Sequence, residues 1–116
     1  MTAEKFVDVV KEVAIEGALR STISNLCTPP GRNPPSYLVE IANWFSTLED
    51  IDRDMVERVA RLAVDHATLT FMCIIDGAKA IESGPNKGHL ELFYVKGSAR
   101  LRLNDPNLEP LNDKLR

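Results

Sequence analysis

The sequence predicts an α+β fold: three helices, the third long and central, packed with one C-terminal β-hairpin. Three observations predict it. Apolar residues recur at helical spacing between Phe6 and Leu26, and again between Leu38 and Leu48. A third helical pattern runs from about Arg53 to Glu82. The period then switches from 3.6 to 2, in "HLELFYV" and "SARLRL" on either side of Lys96-Gly97. At 116 residues the chain reads as a single domain, residues 1–116, long enough to bury roughly two-thirds of its unfolded surface.

Thr2 is placed to cap the first helix, with Glu4 near the positive end of its dipole. Phe6, Val9, Val10, Val13 and Ala14 set the spacing, and Leu19, Ile23 and Leu26 extend it. Gly17 falls on the stripe of Phe6, Val10 and Val13. A glycine inside a helix costs about 1 kcal/mol against alanine, so a second helix crossing closely there is expected to offset it. "CTPPGRNPP", residues 27–35, ends the helix, because four prolines and a glycine make a stiff, irregular loop. Ser36 is the expected cap of the second helix, with Leu38, Ile41, Phe45 and Leu48 on one stripe and Trp44 beside it.

"LEDID" opens the third helix, capped by Asp50 or Asp52; from Arg53 to Glu82 it would be roughly 45 Å long. Asp54 with Arg58, Glu57 with Arg61, and Arg61 with Asp65 are i,i+4 pairs of a solvated face. "LTFMCII" is apolar nearly all round, so neighbours are expected to cover it on most sides. Asp76 and Gly77 follow. Asp76 is expected to meet Lys79, solvent or the hairpin backbone, and Gly77 to mark a close crossing like that at Gly17.

"SGPNKG" ends the helix. With Lys96-Gly97 as the turn, Leu90 faces Leu103, Leu92 faces Leu101 and Tyr94 faces Ala99, while Glu91 faces Arg102 and Phe93 faces Arg100. One register gives an apolar face and a charge-matched face together. Lysine is not the ideal first residue of such a turn, so a one-residue shift stays open. A tail follows, "NLEPLNDKLR", with Leu108, Leu111 and Leu115 free to dock. The echo of "LND" at 103 and 111 is too short to read as a repeat.

Composition excludes several function classes. The apolar fraction is 44% and the charged fraction 27%, as in globular proteins. A net charge of −3 with scattered basic residues argues against a nucleic-acid partner. The start "MTAEKFVDVVKE" carries acids where a signal peptide would be basic, and "FMCII" is far too short to span a bilayer, so a cytoplasmic location without membrane contact is expected. Cys27 and Cys73 are expected to be free, buried thiols.

No catalytic, metal or cofactor motif stands out. His66 on an apolar stripe is expected to be a satisfied core histidine, and two isolated histidines with two isolated cysteines lack the spacing of a zinc site. "DIDRD" imitates a calcium loop, but Met55 and Arg61 stand where glycine and glutamate are required. Two surfaces are left as partner-binding candidates. One is the acidic cluster Glu49, Asp50, Asp52, Asp54 and Glu57; the other is the outer hairpin face with Phe93, Arg100 and Arg102. Ordinary helix capping for the first, and Arg100 stacked on Phe93 for the second, are the plain structural accounts.

"IIDGAKAIE", "GHLELFYV" and the closing "LND" together resemble small uncharacterised bacterial proteins of immunity-protein type. The resemblance covers less than half the chain, carries no catalytic motif, and implies a non-enzymatic protein that binds a partner. The leading expectation is therefore a protein-binding module, an immunity protein that occludes a toxin. The alternative is a small enzyme or ligand-binding domain using Asp76 and His66 in a pocket beside the central helix. A homodimer through the hairpin edge is the third.

Overall fold

The computed structural model describes all 116 residues. Thr2 Oγ1 accepts the Lys5 backbone N–H at 3.2 Å, so the first helix starts where the capping residue sits. This helix winds without a break through three parts. α1 (Ala3–Val9) passes into a π-helical stretch (Val10–Glu16) and then α2 (Gly17–Cys27). A Cβ on Gly17 would meet only the Glu12 carbonyl at 3.8 Å and the Arg20 guanidinium at 4.0 Å. No helix crosses there. The glycine instead sits where the wide π winding returns to α.

After the proline-rich loop, α3 (Ser36–Ser46) folds back on α2. Its first turn is anchored on the Pro35 carbonyl, which accepts from Leu38 and Val39, and Ser36 makes no side-chain cap. Ala42 and Phe45 are buried between the two helices, whereas Ile41, expected inside, is exposed.

α4 (Asp50–Asp76) is 27 residues long and starts on the Glu49 carbonyl rather than on an aspartate side chain. It runs antiparallel to the first helix, since Val7 shares a core cluster with Met72 and Glu16 pairs with Arg61. It ends at Asp76, short of the expected Glu82. Gly77 takes φ 77°, and the Ile74 and Cys73 carbonyls accept from Gly77 (3.2 Å) and Lys79 (3.1 Å). Gly77 is thus a terminating glycine in the left-handed region, with nothing within 4 Å of its missing Cβ, and not a point of close approach. The apolar second half of α4 is covered less than expected: Met72 is buried, but Phe71 is exposed.

β1 (Phe93–Lys96) and β2 (Ala99–Arg102) form the hairpin, with Phe93 opposite Arg102, Tyr94 opposite Leu101 and Val95 opposite Arg100. The turn is Gly97-Ser98, one residue later than Lys96-Gly97. Gly97 takes φ 59° and no non-glycine residue has positive φ, which is the glycine-first two-residue turn. Moving the turn by one residue shifts the pairing by two, so every side chain keeps its expected face. Leu103 N–H donates to Leu92 O at 2.7 Å and extends the ladder toward the core.

The tail adds a short helix, α5 (Leu111–Leu115). Leu111 is fully buried against Val7 and Met72, with Phe6, Val10, Ile75, Leu92 and Leu115 packed around them. This core sits at one end of the molecule. The radius of gyration is 18.5 Å, against about 13 Å for a compact chain of this length. The structure is therefore elongated, and no helix is long and apolar enough to cross a membrane.

Candidate functional site

Asp76 and His66, the pair of the alternative reading, do not share a pocket. Asp76 and His66 lie on the same helix, about 15 Å apart at 1.5 Å per residue. His66 is exposed, not a core histidine, and lines an open cleft of about 380 Å³ with Lys11, Ile15, Glu16, Arg61 and Leu115. Across that cleft Arg61 grips Glu16 with two hydrogen bonds, at 2.8 and 3.1 Å. The Arg61 guanidinium holds the Glu16 carboxyl below the usual carboxylate range. Arg61 thus bonds across to the first helix rather than to Glu57 or Asp65 on its own face. The pair Asp54–Arg58 does form, at 3.0 Å.

Asp76 has a different employment. Its Oδ2 accepts both the backbone N–H and the side-chain amide of Asn112, at 2.7 and 2.8 Å. Asn112 lies in the first turn of α5, so the carboxylate supplies an acceptor to a helix N-terminus that has no local side-chain cap. Just after β2, Asn104 performs the matching task for the hairpin. Its Nδ2 donates to the carbonyls of Ile75 (2.8 Å) and Leu90 (2.9 Å), and its Oδ1 accepts from Leu92 N–H at 2.8 Å. Lys114, its side chain only 10% exposed, reaches Glu4 at 2.8 Å and Glu109 at 3.1 Å. These polar groups are spent on fastening the tail and hairpin to the end of α4.

The two predicted binding patches stand at opposite ends of α4. Glu49, Asp50, Asp52, Asp54 and Glu57 are all exposed at its start. Arg53, in their midst, turns inward: its guanidinium lies 5.3 Å over the Phe45 ring and donates to Ser46 O at 3.1 Å. The hairpin joins the structure roughly 30 Å away, beside Ile75. Its outer face is occupied by its own side chains. Arg100 stacks over Phe93 at 4.1 Å, and Arg102 donates to Asn104 Oδ1 at 3.3 Å and Leu90 O at 3.5 Å. Glu91, hydrogen-bonded to His89 at 2.7 Å, is held below the usual carboxylate range by that bond and by the nearby Arg102.

Sequence reasoning missed the surface that the fold leaves open. Tyr37, Ile41 and Trp44, at i, i+4 and i+7 on α3, are exposed, Tyr37 by 66% and Trp44 by 53%. On α4, Ile51, Met55, Val59 and Leu62 form a second exposed stripe. The half-buried residues Val56, Ala60, Val64 and Thr68 lie on the other side of that helix. The signal was present in the sequence, since Trp44 stood beside the α3 stripe rather than on it.

No three histidine, cysteine or carboxylate side chains converge into a metal-binding group. Both cysteines are free, but Cys27 is exposed and Cys73 half-buried, against the expectation that both lie inside. No protein-family model matches the chain, and neither a curated protein nor a solved structure is significantly similar to it.

Proposed function

We propose that the chain is a non-catalytic protein-binding module whose partner is another protein. The observation that carries this is the outward stripe Tyr37–Ile41–Trp44 on α3. Tryptophan and tyrosine are residues in which binding energy concentrates, and a contiguous exposed apolar stripe, unlike scattered single residues, marks an interaction surface. The acidic cluster begins at Glu49, just past the end of α3, so a complementary partner presents an apolar cleft with a basic margin. The negative field would speed encounter with such a partner more than it would deepen affinity. The immunity-type resemblance gives this partner a concrete form, a toxin whose basic surface the module covers.

The test compares proteins cross-linked to the wild-type chain in its native cells with those cross-linked to Tyr37→Ala/Trp44→Ala. The expected result is a basic protein captured by the first and lost from the second, with helical circular dichroism unchanged. Identical captures from both would overturn the assignment to α3. With the partner in hand, Asp52→Lys/Asp54→Lys should slow association and flatten its salt dependence.

A further inference from the structure

We infer that the exposed stripe of α4 is a self-association seam, on which a second copy of this chain lays its own α4 antiparallel. Met55, Val59, Leu62 and His66 are spaced 4, 3 and 4 apart, the alternation that keeps one apolar line facing a partner helix. All four are exposed, Val59 by 65% and Leu62 by 57%; nothing within the chain covers the three apolar ones, and His66 stands at the rim of the cleft against the first helix. Ala63 and Thr70 on one margin are small and also exposed, so a helix can approach closely.

The direction and the occupant follow from symmetry and charge. A two-fold axis between Ala60 and Arg61 places Val59 against the partner's Leu62 and Met55 against the partner's His66. Every seam residue thereby meets another seam residue, the self-complementary condition of a two-fold interface. Arg58 and Asp65 lie on the other margin, seven residues apart and of opposite sign. The same axis brings Arg58 beside the partner's Asp65 and repeats the pair on the far side. A parallel pairing in register would turn the margin of Arg58 and Asp65 toward the partner's opposite margin, where Ala63 and Thr70 carry no charge, and lose both attractions. Arg58 contacts Asp54 at 3.0 Å within its own chain, but both side chains are more than half exposed, so exchanging one surface pair for the other costs little. A standard interface buries about 800 Å² per partner; the aliphatic seam residues with Ile51 supply roughly half of that, and His66 with the stems of Arg58 and Asp65 extends it.

The seam lies on α4 and the proposed heterologous surface on α3, so the two fail independently. Sedimentation velocity of the full chain across micromolar concentrations should show conversion from 12.9 kDa to twice that mass. Val59→Glu/Leu62→Glu should remain monomeric with unchanged circular dichroism, whereas Tyr37→Ala/Trp44→Ala should still dimerise. Arg58→Glu and Asp65→Arg should each raise the dimer dissociation constant about three- to tenfold, and combining them should restore it. A wild-type chain that stays monomeric overturns the inference, as does a dimer that survives the two glutamates. Failure of the charge exchange to rescue overturns the antiparallel pairing.

Discussion

The two ends of α4 treat the same kinds of residue in opposite ways. At its C-terminal end, Met72 is sealed under Leu111 and Val7, and Asp76 with the Ile75 carbonyl is answered by two buried asparagines. At its N-terminal end, Ile51 is 72% exposed and carboxylates face solvent with few internal partners. Apolar content alone does not distinguish them. What differs is how much arrives: α2 and α3 meet the N-terminal half on one side only, whereas α1, the hairpin base and α5 converge on the C-terminal end. The closed end is built for stability within the chain. The open end carries apolar surface that no element of the chain covers.

The largest expected effect comes from emptying the closed end. Leu111 is fully buried in the central cluster, so Leu111→Ala should cost about 2–5 kcal/mol in urea unfolding, through lost burial and the cavity left behind. A cost below about 1 kcal/mol would mean that α5 is a loose appendage, and the contrast between the ends would collapse.

Next is the carboxylate that fastens α5. Asp76→Ala removes the one oxygen that accepts both Asn112 donors and leaves a buried amide without a partner, at a cost of about 1–3 kcal/mol. Replacing Asp76 and Asn112 together by alanine should recover part of that loss, because no orphaned donor remains. Simple addition of the two single effects would show that the contact is incidental.

The latch also carries a pH signature. The Lys114 hydrogen bond holds the Glu4 carboxyl below its usual range, so this contribution is complete above the ordinary carboxylate value and is lost as pH falls from there through the lowered one. Glu4 and Glu109 raise the Lys114 ammonium above its usual value, so its contribution is present at neutral pH and lost in strong base. Protection of the α5 amides, relative to their intrinsic exchange rates, should therefore fall at both extremes. An α5 whose protection is flat with pH would place its stability in Leu111 alone.

Much of this architecture was legible in the sequence, and the misses share a cause. Periodicity located three helices and the hairpin faces because period-2 alternation survives a shift of the turn. Local pattern did not say which of two apolar stripes on α4 would be covered, since that depends on where α1 and α2 pack. It also did not reveal the role of Asp76, whose partner is 36 residues away in the tail. The echo of "LND" held the missing clue. Leu103 and Leu111 are buried, and the asparagine after each, Asn104 and Asn112, bonds the end of α4. A leucine for the core followed by an amide for a helix terminus is one device used twice.

The glycines sharpen the same lesson at smaller scale. Gly77→Ala must hold alanine at φ 77° and should cost about 1 kcal/mol. Gly17 has helical φ and ordinary space around its missing Cβ, so Gly17→Ala should stabilise by about 0.5–1 kcal/mol. A destabilised Gly17→Ala would restore the close crossing that the fold does not show.

The smallest expected effect tests the open end, and its smallness is the point. Val59 is in the middle of α4 and 65% exposed, so in dilute solution Val59→Ala removes little buried surface. Alanine is also the better helix former, by a few tenths of a kcal/mol, and the net change should fall within about 0.5 kcal/mol of zero. An equally ordinary truncation at the closed end, Val7→Ala, should cost several times as much, because Val7 is 2% exposed in the central cluster. Raising the protein concentration should then separate the two. The Val7→Ala deficit should stay constant, while the Val59→Ala deficit should grow as a second copy covers the stripe, since association stabilises the folded chain by mass action. Urea titrations at two concentrations a hundredfold apart suffice, and a Val59→Ala effect that is large when dilute would mean that α4 is already covered within one chain.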